Sequence, residues 1–352
     1  MQLAMTVHKS FGAFTLAADI NVTGDHVGIF GTSGSGKSTL VSMLAGLVNP
    51  DSGEIMLDGD CLFSSTRSIN IRPERRRIGM VFQQHGLFPH LNVRDNLLYG
   101  FKRCPPEFRT IDFEALVAVL HVGDLLERGV ANLSGGEKQR IALGLAILAN
   151  PRLLLMDEPL SALDDSLRFQ IIPYLKNASE QFRIPYLFIS HSIIEMRLMA
   201  DQVLSVAGGR ITGCCSAEEL ARTRMGESMV GYINLLKLGQ PEQSAGLFAY
   251  PWGAARLLLS IGSERAEPVA ELSSKDIILF KQHPEAISAR NLLQCRVISM
   301  FNSGRKIGIE LDCLGNMLIA EVVQDAVNEL NITPGSTVYA AIKASAFRML
   351  PN

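Results

Sequence analysis

The run Gly31-Thr32-Ser33-Gly34-Ser35-Gly36-Lys37-Ser38 constrains this chain more than any other feature. It fits G-x-x-x-x-G-K-[ST], a loop whose glycines let successive backbone N–H groups turn toward phosphate oxygens. The short apolar run His26–Phe30 precedes it. Apolar side chains at Leu40, Val41, Leu44 and Leu47 follow at the spacing of one helix face. Strand, glycine loop and helix make a βα unit, so the spacing predicts an α/β domain. Lys37 is predicted to reach the β- and γ-phosphates of a nucleotide, Ser38 to place its hydroxyl on Mg²⁺, and Thr39 to complete the loop. The helix adds its positive N-terminal end.

A second constellation is Leu153-Leu154-Leu155-Met156-Asp157-Glu158, an apolar strand running into paired carboxylates. Asp157 suits the Mg²⁺ shell, as the second acidic partner does in P-loop NTPases. Glu158 suits a general base acting on water. Tyr186–Ser190 reads as another buried parallel strand. Residues 51–82 read as strands with an Asp58-Gly59 turn, and residues 92–150 as mostly helical. After about residue 225 short alternating segments take over. Ile277–Lys281, Cys295–Met300, Lys306–Asp312 and Thr337–Lys343 read as strands, with Gly315-Asn316 as a hairpin signal.

Composition narrows the class. The 352 residues suggest two or three domains, and 47% hydrophobic residues supply a core. With 33 Lys+Arg against 35 Asp+Glu there is no basic field, which argues against a nucleic-acid partner. The longest apolar stretch, Ile141–Ala149, falls far short of the ~20 residues of a spanning helix. Membrane helices are therefore expected on other chains. The six cysteines show no paired or zinc spacing and read as reduced thiols of a cytosolic protein, with Cys214 and Cys215 as small buried residues. Arg75-Arg76-Arg77 reads as a solvated basic run, and His8, His26, His85, His121 and His283 as structural.

Leu133-Ser134-Gly135-Gly136-Glu137-Lys138-Gln139-Arg140 resembles the signature of ATP-binding-cassette (ABC) ATPases. Other elements of that family follow in order. Gln83, in Val81-Phe82-Gln83, resembles the Q-loop. Ser161-Ala162-Leu163-Asp164 resembles the D-loop, and His191 the switch histidine. Phe11 is a candidate for stacking on adenine. The resemblance covers residues 1 to about 225. It implies a P-loop cassette with a helical subdomain that binds ATP and Mg²⁺, with Gln83 joining Ser38 and Asp157 at the metal. Glu158, His191 and Gln83 are the implied catalytic set. The family places Ser134, Gly135, Gly136 and Glu137 on the opposite subunit's nucleotide, so a homodimer is implied.

The Lys37-to-Ser134 interval leaves no room for a long coiled coil, and there is one cassette per chain. This resembles an importer subunit, in which Gly86–Leu91 would receive a helix from a membrane subunit. The tail, about residues 286–350, resembles the molybdate-binding (Mop or TOBE-type) module through Ser288-Ala289-Arg290-Asn291 and Tyr339–Ser345. Ser288, Ala289, Arg290, Lys343 and Ser345 are its candidate oxyanion residues, because such an anion needs N–H, hydroxyl and cationic donors. Val323 and Ala326 stand where hydroxyl residues are usual, and Glu321 lies nearby.

The expected organisation is a cassette over 1–228, a linker and first β-rich part over 229–285, and a small all-β, OB-like Mop/TOBE-type domain over 286–352. The implied function is ATP-driven molybdate import from the cytoplasmic face of the inner membrane. Two permease subunits and a periplasmic molybdate-binding protein are the implied partners. The same motifs are compatible with import of sulfate, tungstate or ferric iron, or with a molybdate-responsive regulator.

Overall fold

The computed structural model describes residues 1–350 apart from 84, 85, 162, 164, 245 and 264–266. The chain divides into two compact units, Met1–Ala217 and Glu218–Asn352. The fold class is the expected one: an α/β P-loop cassette followed by a small all-β region.

In the first unit, strands Ile78–Val81, Leu153–Asp157, Tyr186–Ser190, His26–Phe30 and Gln202–Ala207 lie side by side and parallel. They read as continuous apolar runs because both faces are covered. Phe30 is level with Ser190, Ile189 with Asp157, and Met156 with Val81. The carboxyl ends of four neighbouring strands therefore carry the phosphate loop, His191, the Asp157-Glu158 pair and Gln83. Ligands of open α/β sheets bind in the crevice outside such ends. The antiparallel strands Gln2–Phe11 and Phe14–Thr23 extend the sheet. The Asp58-Gly59 turn joins Ser52–Leu57 to Asp60–Ser64 with both residues at positive φ, as its sequence predicts.

Helices Val93–Arg103, Phe113–Leu120 and Gly135–Leu148 form the helical part. Each begins on a side-chain cap, Asn92 accepting from the Asp95 N–H, Asp112 from the Ala115 N–H and Ser134 from the Glu137 N–H. Buried Asn96 holds the segment after the Q-loop: its Oδ1 accepts from the Phe88 N–H, and its Nδ2 donates to the Phe88 and Leu91 carbonyls.

The basic run 75–77 is not uniformly solvated. Arg76 is 1% exposed. Its guanidinium donates to the carbonyls of Met43, Leu44 and Ile71 and to Asn70 Oδ1. The first two belong to the last turn of the phosphate-loop helix Lys37–Ala45, where the Met43 carbonyl also accepts from the Gly46 cap N–H. A buried cation there is matched by the negative end of the helix dipole.

In the second unit a five-stranded antiparallel sheet runs Ile278–Phe280, Thr337–Ile342, Asn291–Ser303, Lys306–Cys313, Asn316–Val323. Strands Ile233–Lys237, Val269–Ser273 and Phe347–Met349 form a further sheet. One core joins Leu236, Trp252, Leu272, Ile309 and Phe347. Residues from 229–285 thus share their core with the later strands. The hairpin turn is Leu314-Gly315, both at positive φ, with Asn316 already paired to Cys313.

Two cysteine expectations are corrected. Cys295 and Cys313 are disulfide-bonded, their Cα atoms 4.4 Å apart on adjacent strands. The register that pairs Arg296 with Asp312 brings them opposite each other. Cys214 is exposed and Cys215 half-buried, because their strand Arg210–Ser216 is largely open to solvent.

Candidate functional site

The phosphate loop is built tightly. Gly36 caps the helix at φ 105° and Gly34 sits at φ 77°, conformations that glycine adopts without Cβ cost. A Cβ on Gly31 would lie 2.2 Å from the Val206 carbonyl oxygen and 2.9 Å from Ser35 Oγ. Gly31→Ala is therefore expected to displace the loop at an overpacking cost of about 1–3 kcal/mol. ATP affinity should fall by about tenfold or more, read by titration with a fluorescent nucleotide. Wild-type affinity would contradict this geometry.

Lys37 is 6% exposed. Its Nζ donates to the carbonyls of Gly31 at 2.9 Å and Thr32 at 2.8 Å. Burial pushes its ammonium below the ordinary lysine range, with Glu158 and Asp157 opposing. Ser38 Oγ donates to Asp157 Oδ1 at 3.1 Å. Burial pushes the Asp157 carboxyl up, while the Ser38 bond and the Lys37 charge act against it. Among the described residues, Ser35 Oγ is a buried hydroxyl without a protein partner.

A pocket of about 310 Å³ opens on this loop, lined by Phe11, Phe14, Ser33, Gly34, Gly36, Lys37, Ser38, Thr39 and Glu158. It joins an aromatic wall, a basic loop and a carboxylate. Phe11 is 46% exposed, available for stacking. Phe14 was not anticipated from sequence. It reaches the pocket because Phe11 and Phe14 are paired across the two-residue turn between their strands.

Glu158 has φ 47°, an unusual conformation for a residue with a Cβ. Its carbonyl is held by the Ser161 N–H at 3.2 Å and the Ser161 hydroxyl at 3.0 Å. Its Oε1 lies 3.8 Å from His191 Nδ1. Gln83 is exposed after its strand and lies outside the pocket lining. Asp164 lies outside the described residues.

Ser134 caps helix Gly135–Leu148 in a reciprocal box: Glu137 N–H donates to Ser134 Oγ, and Ser134 N–H to Glu137 Oε2. The bond from the Ser134 N–H is the first cause holding the Glu137 carboxyl below its ordinary range. Among the described residues none from 133–140 lines the phosphate-loop pocket. Within one chain the signature and the phosphate loop are thus separate.

In the second unit, Ser288, Ala289 and Lys343 line a pocket of about 440 Å³ with Lys275, Asp276, Ile278 and Phe280. Arg290 and Ser345 are exposed and outside that lining. Lys275 was missed from sequence, and its Nζ already donates to the carbonyls of Ser228 and Met229. Glu321 is turned into an ion pair with Lys306 at 3.6 Å and is not part of the lining.

Phosphate loop, paired carboxylates and signature helix together define an ABC-type ATP-binding cassette. Residues 18–161 match the ABC transporter family and residues 287–348 the TOBE domain. The cassette resembles solved structures of this class. One is cbiO1 from Clostridium perfringens, part of the ABC transporter complex cbiONQ. It is 25% identical, with a TM-score of 0.53, covering 62% of this chain and 89% of that chain. The ATP-binding cassette MJ0796, solved as a dimer bound to ADP and Pi, shares the fold at TM-score 0.50 and 24% identity, covering 61% of this chain and 98% of that chain. Over nearly its whole length the chain is 36% identical to the molybdenum import ATP-binding protein ModC of Rhizobium etli, covering 98% of this chain and 99% of that protein. It is 35% identical to ModC of Mannheimia succiniciproducens, with the same coverage. The chain belongs to the family of molybdenum import ATP-binding proteins.

Proposed function

We propose that the chain is the ATP-hydrolysing subunit that energises molybdate import through separate membrane subunits. The observation that carries this is the full-length similarity to ModC proteins together with an intact set of cassette residues at adjacent strand ends. In the described residues no helix is long and apolar enough to cross a membrane, so partner chains supply the passage.

The phosphate-loop N–H groups and Lys37 hold the β- and γ-phosphates. Phe11 and Phe14 offer the adenine a stacking wall. The Ser38 hydroxyl beside the Asp157 carboxylate offers the hard oxygen donors that Mg²⁺ takes together with phosphates and water, and Gln83 would complete the set. When bound, the metal supplies neutralisation of phosphate charge. Glu158 accepts the proton of the attacking water, and His191, beside it, steadies that carboxylate. Reaction depends on positioning and charge neutralisation more than on covalent chemistry. Ser134, Gly135 and Gly136 act on the nucleotide of a second copy. The cassette dimer works at the cytoplasmic face of the inner membrane. Gly86–Leu91 receives a helix from the permease, which takes its substrate from a periplasmic binding protein.

In the tail, Lys343 and Ser288 form the oxyanion site, with the Ala289 backbone. Arg290 and Ser345, exposed and outside its lining, are further candidates for the anion. A charge-assisted hydrogen bond contributes about 1.5–3 kcal/mol. Lys343→Ala is therefore expected to weaken molybdate binding by the full chain roughly 10–100-fold in calorimetry. ATP hydrolysis should stay near wild type. No heat from the wild-type chain at millimolar molybdate would remove the oxyanion role and leave the cassette reading intact.

A further inference from the structure

The two loops that frame Glu158 are joined underneath by side chains the hydrolytic set does not include. Glu195, on helix Ile193–Met199, is 5% exposed although it is a carboxylate. Its Oε2 accepts from the Ser190 hydroxyl at 2.5 Å, and its Oε1 lies 3.3 Å from Arg168 Nε. Ser190 Oγ in turn accepts from the Ser192 N–H at 2.9 Å, so the backbone on both sides of His191 is fixed to Glu195. At the other end, Arg168 Nη2 donates to the Leu163 carbonyl at 3.2 Å. Leu163 lies two residues after Ser161, which holds the Glu158 carbonyl. The contacts run from Leu163 through Arg168 and Glu195 to Ser190, and the His191 that follows lies 3.8 Å from Glu158, whose carbonyl Ser161 holds.

Burial of a charged pair is expensive and is repaid only where hydrogen bonds complete it. Burial pushes the Glu195 carboxyl upward, and the Ser190 bond and Arg168 charge oppose it. A Leu at 195 would fill a core position without that penalty. The carboxylate and guanidinium do something an apolar pair cannot: they fix the direction of two polar loops at once.

We infer that Arg168 and Glu195 are positioning residues that tie the backbone at Leu163 to the His191 turn beside Glu158. The inference rests on reading Glu158 and His191 as the hydrolytic pair. Neither residue touches the phosphate-loop pocket, so ground-state ATP binding is left alone. Misplacing a reacting group by about an ångström costs on the order of a hundredfold in rate.

The test is steady-state ATP hydrolysis by the full-length chain carrying Arg168→Ala, Glu195→Ala or both, with Glu158→Gln alongside. Nucleotide-binding stoichiometry is measured on every variant, so that kcat refers to folded sites. Each single change is expected to lower kcat by about 10–100-fold, with KM within about twofold and full stoichiometry. The double variant is expected to be no slower than the slower single, because both changes break the same chain of contacts. Wild-type kcat in either single variant overturns the inference. So does a loss that merely follows the fraction of chains still binding nucleotide, or losses that multiply in the double variant. Glu158→Gln at the wild-type rate would instead remove the hydrolytic reading beneath it.

Discussion

Glu158→Gln is expected to bind ATP as the native chain does and to turn it over about 10²–10⁴-fold more slowly, the usual loss for a general base. The amide keeps the shape of the side chain, so the strained turn at φ 47° and the bonds from Ser161 to the Glu158 carbonyl survive. What disappears is the proton acceptor in the pocket beside His191. The variant should accumulate as an ATP-bound dimer, visible by size-exclusion chromatography in the presence of ATP. Hydrolysis at the native rate would mean that another group deprotonates the water.

Lys37→Ala should lower hydrolysis by about 10²–10³-fold, the scale of removing one preorganised donor from developing charge. Here the ammonium is pre-placed by the Gly31 and Thr32 carbonyls, within hydrogen-bond reach of both. Its loss also removes a positive charge that acts on both Asp157 and Glu158. The same variant tests how the signature is used. Mixed with Ser134→Arg chains, it forms heterodimers in which both lesions fall on one site and the other site is whole. Activity of the mixture above that of either variant alone is expected from a site shared between subunits. A mixture no better than its components, under conditions where heterodimers are present, would place the signature's action within one chain.

Much of the cassette was legible because its chemistry is local. The phosphate loop, the Asp157-Glu158 pair and the capping box at Ser134 each lie within a few consecutive residues, and their order carries the family. Sequence could not say that Phe14 joins Phe11, since that follows from a strand register. It misplaced Arg76, whose burial depends on the end of a helix some thirty residues earlier. It missed the Cys295–Cys313 bond, because two lone cysteines become neighbours only once their strands pair. Arg168 and Glu195 carry no motif signal of their own. Their meaning comes from Leu163 and Ser190, brought together by the packing of two helices on one sheet. In the tail the short Ser288–Asn291 match located the pocket but not its full lining. Lys275 and Asp276 come from a separate turn.

The most direct test is ATP-dependent uptake of radiolabelled molybdate into vesicles containing the chain with the permease subunits and binding protein of a molybdate system. Uptake is expected with the native chain, and to fall to background with Glu158→Gln although that variant still binds ATP. Uptake that proceeds equally with Glu158→Gln, or a native chain that hydrolyses ATP in this assembly while moving no molybdate, would contradict the assignment.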